Sequence, residues 1–396
     1  MMLTNRQLFL QHIAQTSDAP LALEIVNANG MYLTDADGKK YMDLISGISV
    51  SNLGHCHPRV VEAVQTQAAT YMHTLVYGEF VLSPQVKLAE YLCSLLPKNL
   101  NSVYFTNSGA EATEGAMKLA KRYTGRTELI SCIHSYHGST QGALSILGDE
   151  YFKSAFRPLL PDTRLIRYNS EEDLSFISKR TAAVFIEPVQ AEAGILVPDK
   201  FYLQKVRQRC NETGTLLVFD EIQTGCGRTG TLFRFEKENV IPDILLLAKG
   251  LGGGMPVGCF ISDKKIMNTL TYQPVLGHIT TFGGNAVCCA AALASLKAIQ
   301  EDRLYASVEA KEKLFVELLK HTAIKKVTHC GLMLAVHLDN FENLRKVIQL
   351  CIENGVITDW FLFCDNALRI APPLIITEQE IRQACVIILE ALDKIY

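Results

Sequence analysis

No stretch of this chain approaches the roughly 18 uninterrupted apolar residues of a membrane-spanning helix. Its first residues, MMLTNRQLFLQHIAQ, lack a basic region followed by a long apolar run. A soluble, cytoplasmic protein with no membrane partner is expected. Neither sign of charge dominates: Lys and Arg number 38 against 41 Asp and Glu, the net charge is -3, and like charges form no block. Nucleic acid is therefore not an expected partner. The 12 cysteines include no C-x-x-C pair and lie in apolar settings such as VCCAAAL and QACVIILE, which reads as reduced core residues rather than disulfides or zinc ligands. His55 and His57 flank Cys56 on a Gly/Pro turn without a second ligand cluster, so no metal is expected. No G-x-x-x-x-G-K-[ST] stretch occurs, and Gly250, Gly252, Gly253 and Gly254 miss the dinucleotide spacing.

What the chain does have is enough apolar content, 48% over 396 residues, for a sizeable core and two or three domains at about 150 residues each. Short apolar runs (SVYFTN, ELISCI, TRLIRY, TAAVFIEPV, TLLVFDE, DILLLA and PVGCFIS) alternate with helical patterns or loops, which predicts an α/β fold with a mostly parallel sheet covered on both faces. Asp37-Gly38 between two short alternating runs predicts a hairpin near the N-terminus. Beyond about residue 286 the pattern changes to long helices and fewer strands. The expected organisation is an N-terminal segment 1–50 packed with the C-terminal part, a large domain 51–285 and a smaller α+β domain 286–396. Three helices can be placed. Ser83-Pro84 supplies an N-cap and first-turn proline for a helix towards Leu96. Ala112, Ala116, Leu119, Ala120 and Tyr123 form the apolar face of a second, opposite Glu111, Glu114, Lys118 and Lys121. Thr377 and Glu380 form a capping box for the last, with Ile381, Cys385, Ile388, Leu389 and Leu392 as its buried stripe.

The chemistry gathers at predicted strand ends, where an open α/β sheet binds ligands. Lys249 follows the apolar run Ile244–Ala248, and a buried lysine needs a partner or a task. Thr106–Glu111 joins a strand to a helix through Gly109, and the free N–H groups of such a helix start favour a phosphate. Asp220 ends another apolar strand, where a carboxylate must be paired or hydrogen-bonded. Glu221 beside it faces the other way, which disfavours a paired-acid glycosidase reading. Ser135–Thr140 follows a third strand, and its Tyr136 offers a flat ring for stacking on a planar group, next to His137 and a glycine that permits close approach. Each feature alone has a plain structural reading: a turn, a loop cap, a packing tyrosine. Together they describe a site for pyridoxal 5'-phosphate (PLP), in which Lys249 forms a Schiff base and Asp220 holds the pyridine nitrogen protonated.

Eight stretches resemble, in order, the class III (ornithine/acetylornithine-type) PLP aminotransferases of fold type I: GHCHPRVVEAV, YFTNSGAEATEGAMKLAKRYTGR, SYHGST, IEPVQAEAG, VFDEIQTGCGRTG, PDILLLAKGLGGGMPVG, TTFGGN and LRIAPPL. The resemblance runs from about residue 20 to the C-terminus. It implies that Lys249 is the Schiff-base lysine and Asp220 the partner of the ring nitrogen, with Gln223 on the phenolic oxygen. It further implies that Ser108, Gly109 and Ala110 hold the phosphate, that Tyr136 stacks on the ring with His137 among the cofactor-binding residues, and that Glu187 lies behind the cofactor. Thr281 resembles the threonine that reaches the phosphate of a neighbouring subunit, which implies a homodimer with active sites at the interface. Arg369 resembles the arginine that takes the α-carboxylate of glutamate or 2-oxoglutarate, and Glu192 the glutamate that pairs with it when no carboxylate is bound.

The sequence departs from that family at Ser139, where the ornithine and acetylornithine branch usually carries arginine; Y-H-G-S-T is more similar to diaminopelargonate synthases and amine-type ω-transaminases. Serine cannot form the paired charge-assisted bonds of a guanidinium. Glu79, in LVYGEF, stands either near the active-site entrance, where it receives a distal ammonium, or as an exposed carboxylate before a helix. The expected activity is a ping-pong transamination from a small-molecule amino donor, a primary amine of ornithine-, acetylornithine- or ω-amino-acid-like type, to a keto acid such as 2-oxoglutarate or pyruvate. The alternatives are a class III aminomutase or decarboxylase using the same lysine, and a binding protein that keeps the fold without turnover.

Overall fold

All seven apolar runs become strands of one sheet. The computed structural model describes residues 3–396. The strands are β1 (Ser102–Thr106), β2 (Glu128–Cys132), β3 (Thr163–Ile166), β4 (Thr181–Ile186), β5 (Leu216–Asp220), β6 (Ile244–Leu247) and β7 (Gly258–Ser262). They lie in the order β1-β7-β6-β5-β4-β2-β3. Only β7 runs antiparallel to its neighbours; the other pairs are parallel. Successive strand residues divide between two cores because the side-chain period of a strand is two. Leu217, Phe219, Leu245, Leu247 and Ile261 pack with the helices Ser83–Leu95, Tyr202–Thr213 and Ala286–Glu301. Val218, Leu246 and Phe260 pack with the helix Gly109–Thr124 on the opposite face. Burial on both faces is why these strands read as continuous apolar runs rather than alternating ones.

The N-terminal hairpin forms as expected: Tyr32–Asp35 pairs antiparallel with Lys40–Asp43 around Asp37-Gly38. A short strand from far along the chain joins it, Val356 lying parallel and opposite Met42. Met31, Tyr41, Met42 and Leu44 share one core with Phe315, Leu344, Ile370 and the C-terminal helix. The C-terminal part is richer in strands than its sequence pattern predicts, with a sheet of Lys326–His329, Leu334–His337, Cys364–Ile370 and Asp359–Phe361. Three of these strands have only three or four residues, and the fourth, CDNALRI, is polar over its first half, so no apolar run or alternation marks the sheet. The helix Ala286–Glu301, expected to open the C-terminal part, packs instead on Pro58–Thr70 and Ser83–Leu95.

The three predicted helices are present, with two local differences. Leu82, not Ser83, occupies the N-cap of Ser83–Leu95, and its aliphatic side chain has no acceptor for a cap bond; Pro84 falls in the first turn, after Ser83. Tyr123 is 39% exposed and lies at the edge of the buried stripe rather than in it. The last helix has both halves of its capping box, Thr377 and Glu380. Ser46, Gly47, Ile48 and Ser49 all have φ between 51 and 63°, a left-handed turn that non-glycine residues enter only when held. Asp43 Oδ1 accepts the amides of Ile45 and Ser46, and Ser46 Oγ donates to the Ala371 carbonyl. Among the described residues no helix is long and apolar enough to cross a membrane.

Candidate active site

A cavity of about 690 Å³ opens at the carboxyl ends of β1, β2, β4, β5 and β6, and its lining includes Ser108, Gly109, Ala110, Tyr136, His137, Ser139, Glu187, Asp220, Gln223 and Lys249. Residues spread from 108 to 249 meet there because the parallel strands all end at the same edge of the sheet.

One end of the cavity is the start of the helix Gly109–Thr124. Ser108 is its N-cap, with Oγ accepting the Glu111 amide at 3.2 Å. The first amides of a helix have no intrahelical partner and attract an anion, and Gly109 and Ala110 carry theirs on the cavity wall. Gly138, at φ +128°, approaches this helix so closely that an added Cβ would lie 2.6 Å from Ala110 Cβ. That glycine lets the Tyr136–Thr140 loop close over the cavity. Tyr136 is fixed by its amide, which donates to Glu187 Oε1 at 2.9 Å, and its hydroxyl lies 3.1 Å from Ser139 Oγ.

At the sheet edge, Asp220 Oδ2 is 2.7 Å from His137 Nδ1, and Oδ1 accepts the Ile222 amide at 3.1 Å. Burial disfavours the charged form of His137, but the bond to Asp220 and its charge prevail and raise the imidazole pKa. Glu187, buried behind the Tyr136 loop, accepts the amides of Tyr136 and Ala191; burial first, and the charge of Asp220, push its carboxyl up to about 7 against the pull of His137. Glu221 does turn away, accepting the amides of Arg234 and Phe235 at 2.6 and 2.7 Å.

Lys249 answers the question its position raises. It opens a short 3-10 turn after β6 with φ +46°, a left-handed conformation that directs a non-glycine side chain at a strain of order 1–3 kcal/mol. Burial, only partly offset by Glu192, lowers its amine to about 8. An amine so depressed is partly neutral at physiological pH, the form that attacks a carbonyl carbon.

Arg369 and Glu192 do not line the cavity; they lie one hydrogen bond behind it. Gln223 Nε2 donates to Glu192 Oε1 at 3.0 Å, and Glu192 takes Arg369 end-on, Nη1 to Oε1 at 2.8 Å and Nη2 to Oε2 at 2.9 Å. Burial works against the Glu192 charge, but Arg369 overcomes it and holds the carboxyl down at about 2. Thr281 is exposed and outside the cavity of its own chain, as is Glu79, which stands in an exposed turn. Sequence reasoning gave no individual role to Asn107, which lies within the Thr106–Glu111 turn, or to Thr224 and Val50 in the lining, and it missed Asp359 on Arg369, 2.8 Å from its Nε. Asn107 and Thr224 adjoin motif residues and could have been included; Asp359 had no motif to mark it.

The family model described as aminotransferase class-III matches residues 13–392. The chain belongs to the class III aminotransferases. It is 40% identical over 388 residues to an acetylornithine aminotransferase of Methanocaldococcus jannaschii, covering 95% of this chain and 94% of the relative. It is equally identical over 369 residues to an acetylornithine aminotransferase of Methanosarcina mazei, covering 91% and 89%. Among solved structures it is similar to a transaminase from the marine bacterium Virgibacillus, with TM-score 0.92 and 29% identity over 98% of both chains. It is also similar to an ornithine aminotransferase of Toxoplasma gondii, TM-score 0.91 and 30% identity over 98% and 93%, whose active site is partly occupied by PLP. This class III aminotransferase is a fold type I, PLP-dependent enzyme that transfers an amino group from an amine donor to a keto acid; the aminomutase and decarboxylase readings are not favoured. Its cavity fits the cofactor: a helix start for the phosphate, an aromatic side chain, a buried carboxylate at a strand end and a depressed amine on one wall.

Proposed function

We propose that Lys249 and Asp220 are the catalytic pair, that the donor is a primary amine remote from any carboxylate, as in ornithine-like amino acids, ω-amino acids and diamines, and that the acceptor is a 2-oxo acid whose carboxylate binds Arg369 after Glu192 leaves. The end-on Arg369–Glu192 pair carries this reading, since it is already the geometry of a guanidinium holding a carboxylate. Among the described residues Lys249 is the only lysine or arginine on the cavity wall, and Ser139 adds no cation. The names of the acetylornithine and ornithine aminotransferase relatives support the donor type.

PLP, when bound, supplies the electron sink that makes the carbon next to the transferred nitrogen acidic. Ser108, Gly109 and Ala110 would hold its phosphate, Tyr136 would cover its ring, Gln223 would bond its phenolic oxygen and Asp220 would face its ring nitrogen. His137, hydrogen-bonded to Asp220, orients that carboxylate. Lys249 Nζ, free when the donor amine has taken its place, accepts the proton from the donor's amine-bearing carbon. Glu187 supports Tyr136 from behind.

The enzyme works as a homodimer in this reading. Thr281 is exposed, yet its neighbour Thr280 bonds the cavity residue Asn107, and Val81 and Val275 are 91% and 72% exposed on adjoining segments. A partner chain covering them brings Thr281 to the partner's phosphate site. We also place the protein in the cytoplasm, in keeping with its 12 free cysteines. We propose the division 1–50, 51–285 and 286–396, amended so that the helix Ala286–Glu301, whose residues join the core of the large sheet, goes with the large domain; Met31, Tyr41, Met42 and Leu44 share the other core with the C-terminal part.

The test is a set of single-turnover spectra of the yellow holoenzyme with ornithine, acetylornithine, lysine, 4-aminobutyrate, simple diamines, glutamate and alanine. Loss of the visible band is expected with the ω-amines; loss with glutamate and alanine alone rejects the donor assignment. Arg369→Ala should weaken the 2-oxoglutarate half-reaction by about 2 to 4 kcal/mol, and an unchanged half-reaction removes Arg369 from the acceptor site.

A further inference from the structure

Arg369 has more partners than one exchangeable carboxylate explains. Its Nε donates to Asp359 Oδ1 at 2.8 Å and its Nη2 to the Trp360 carbonyl at 2.8 Å, while its guanidinium carbon lies 4.4 Å from the centre of the Phe361 ring. These three partners are consecutive residues of the strand Asp359–Phe361, which pairs antiparallel with Cys364–Ile370, the strand that carries Arg369. Asp359 stands directly opposite Arg369 in the register, and Thr358 Oγ1 closes the pair by donating to the Arg369 carbonyl at 2.6 Å. Every fixed partner of the guanidinium thus belongs to its own hairpin. Glu192 does not: it comes from the segment after β4 and takes only the Nη1/Nη2 edge.

We propose that Asp359 is a positioning residue for the acceptor site, gripping the Nε edge of Arg369 so that the Nη1/Nη2 edge stays aimed at the keto-acid carboxylate when Glu192 departs. The inference rests on the reading that Arg369 receives that carboxylate. Its physical basis is charge as well as geometry. With Glu192 gone, a lone buried guanidinium would be left without a counter-ion, which is strongly unfavourable. Asp359 removes that state, leaving a neutral pair fixed in orientation, and the incoming carboxylate meets an arginine already in place. Asp359 also answers a second demand: an arginine that must alternate between two occupants needs one anchor that does not alternate. The hairpin turn reinforces the arrangement, because the Leu362 amide donates to Glu192 Oε2 at 3.2 Å and the Phe363 amide to the Glu192 carbonyl at 3.1 Å, which sets the side chain of Glu192 opposite the edge it must vacate.

The experiment uses holoenzyme charged with pyridoxamine phosphate, so that no amine donor is needed, mixed with 2-oxoglutarate or with pyruvate and followed to single turnover. Asp359→Ala should raise the apparent Kd for both acids about ten-fold or more, as for a lost charged hydrogen bond, with the limiting rate at saturation within about two-fold of wild type. Asp359→Asn, which keeps an acceptor for Nε but not the negative charge, should recover only part of that affinity. An apparent Kd that is unchanged or lowered in Asp359→Ala overturns the proposal, since Asp359 would then act only by repelling the acid. Equal losses in affinity and limiting rate, or an Asp359→Asn enzyme as weak as Asp359→Ala, overturn it as well. If Asp359→Ala does not fold, Asp359→Asn decides alone: a raised apparent Kd with the limiting rate held supports positioning, and an unchanged apparent Kd or a limiting rate that falls rejects it. Arg369→Ala in the same assay separates the two readings. A raised Kd there with none in Asp359→Ala defeats the positioning role alone, whereas no change in Arg369→Ala defeats the acceptor site on which it rests.

Discussion

At the scale of single residues, the site combines groups whose environments pull their protonation in different directions. Lys249 is lowered to about 8 by burial, while Glu187 is raised to about 7 by burial and by Asp220. Lys249→Ala should abolish the visible absorbance of bound PLP and reduce turnover by about a thousand-fold, with the circular dichroism of the fold retained; near-normal turnover sinks the catalytic assignment. Glu187 makes a pH prediction for the cofactor-free protein. Its folded pKa lies above the unfolded value, so its contribution to stability is complete below about 4.5 and is lost as pH rises through about 7. Urea unfolding between those limits should show wild type losing stability relative to Glu187→Gln as pH rises; parallel curves reject the shift. Lys249, Asp220 and Ser108–Ala110 were legible in the sequence because each follows an apolar strand at a glycine-rich or capping turn. Asp359 was not, since only strand pairing brings it to Arg369. Nor was the bond between Arg228 Nη2 and Asn52 Oδ1, made across 176 positions.

Elements carry a different kind of information. The seven strands of the large sheet and the three helices were readable because burial on both faces, or on one stripe, leaves a periodic trace. The C-terminal strands were not, because Val356–Ile357 and Asp359–Phe361 have two and three residues, too few for a period to register. Helix propensity misleads at Gly115, in the middle of Gly109–Thr124. Alanine favours a helix over glycine by about 1 kcal/mol, but a Cβ there would lie 2.2 Å from Phe260 Cε1. Gly115→Ala should therefore destabilise the protein by about 1–3 kcal/mol; a higher midpoint in denaturant would mean that Phe260 moves aside freely. Thr377→Ala removes the acceptor that binds the Glu380 amide and should cost about 1 kcal/mol in the same measurement, with no change in turnover.

For the whole molecule, the proposed homodimer, with Thr281 reaching its partner's site, predicts complementation. Lys249→Ala and Thr281→Ala chains, each impaired as homodimers, should regain activity when co-refolded, because half of the mixed dimers' sites carry neither change. Sedimentation as a monomer at working concentration, or no recovery on mixing, rejects the dimeric site. The chain's two ends are bound together as well: Met42 finds its parallel partner only at Val356, and the N-terminal apolar residues share their core with the last helix. During synthesis Met42 leaves the ribosome about three hundred residues ahead of Val356, a wait of roughly 15 to 60 s at ordinary elongation rates. For that interval the hairpin waits with an open edge, a ready target for chaperones or for the same strand of another nascent chain.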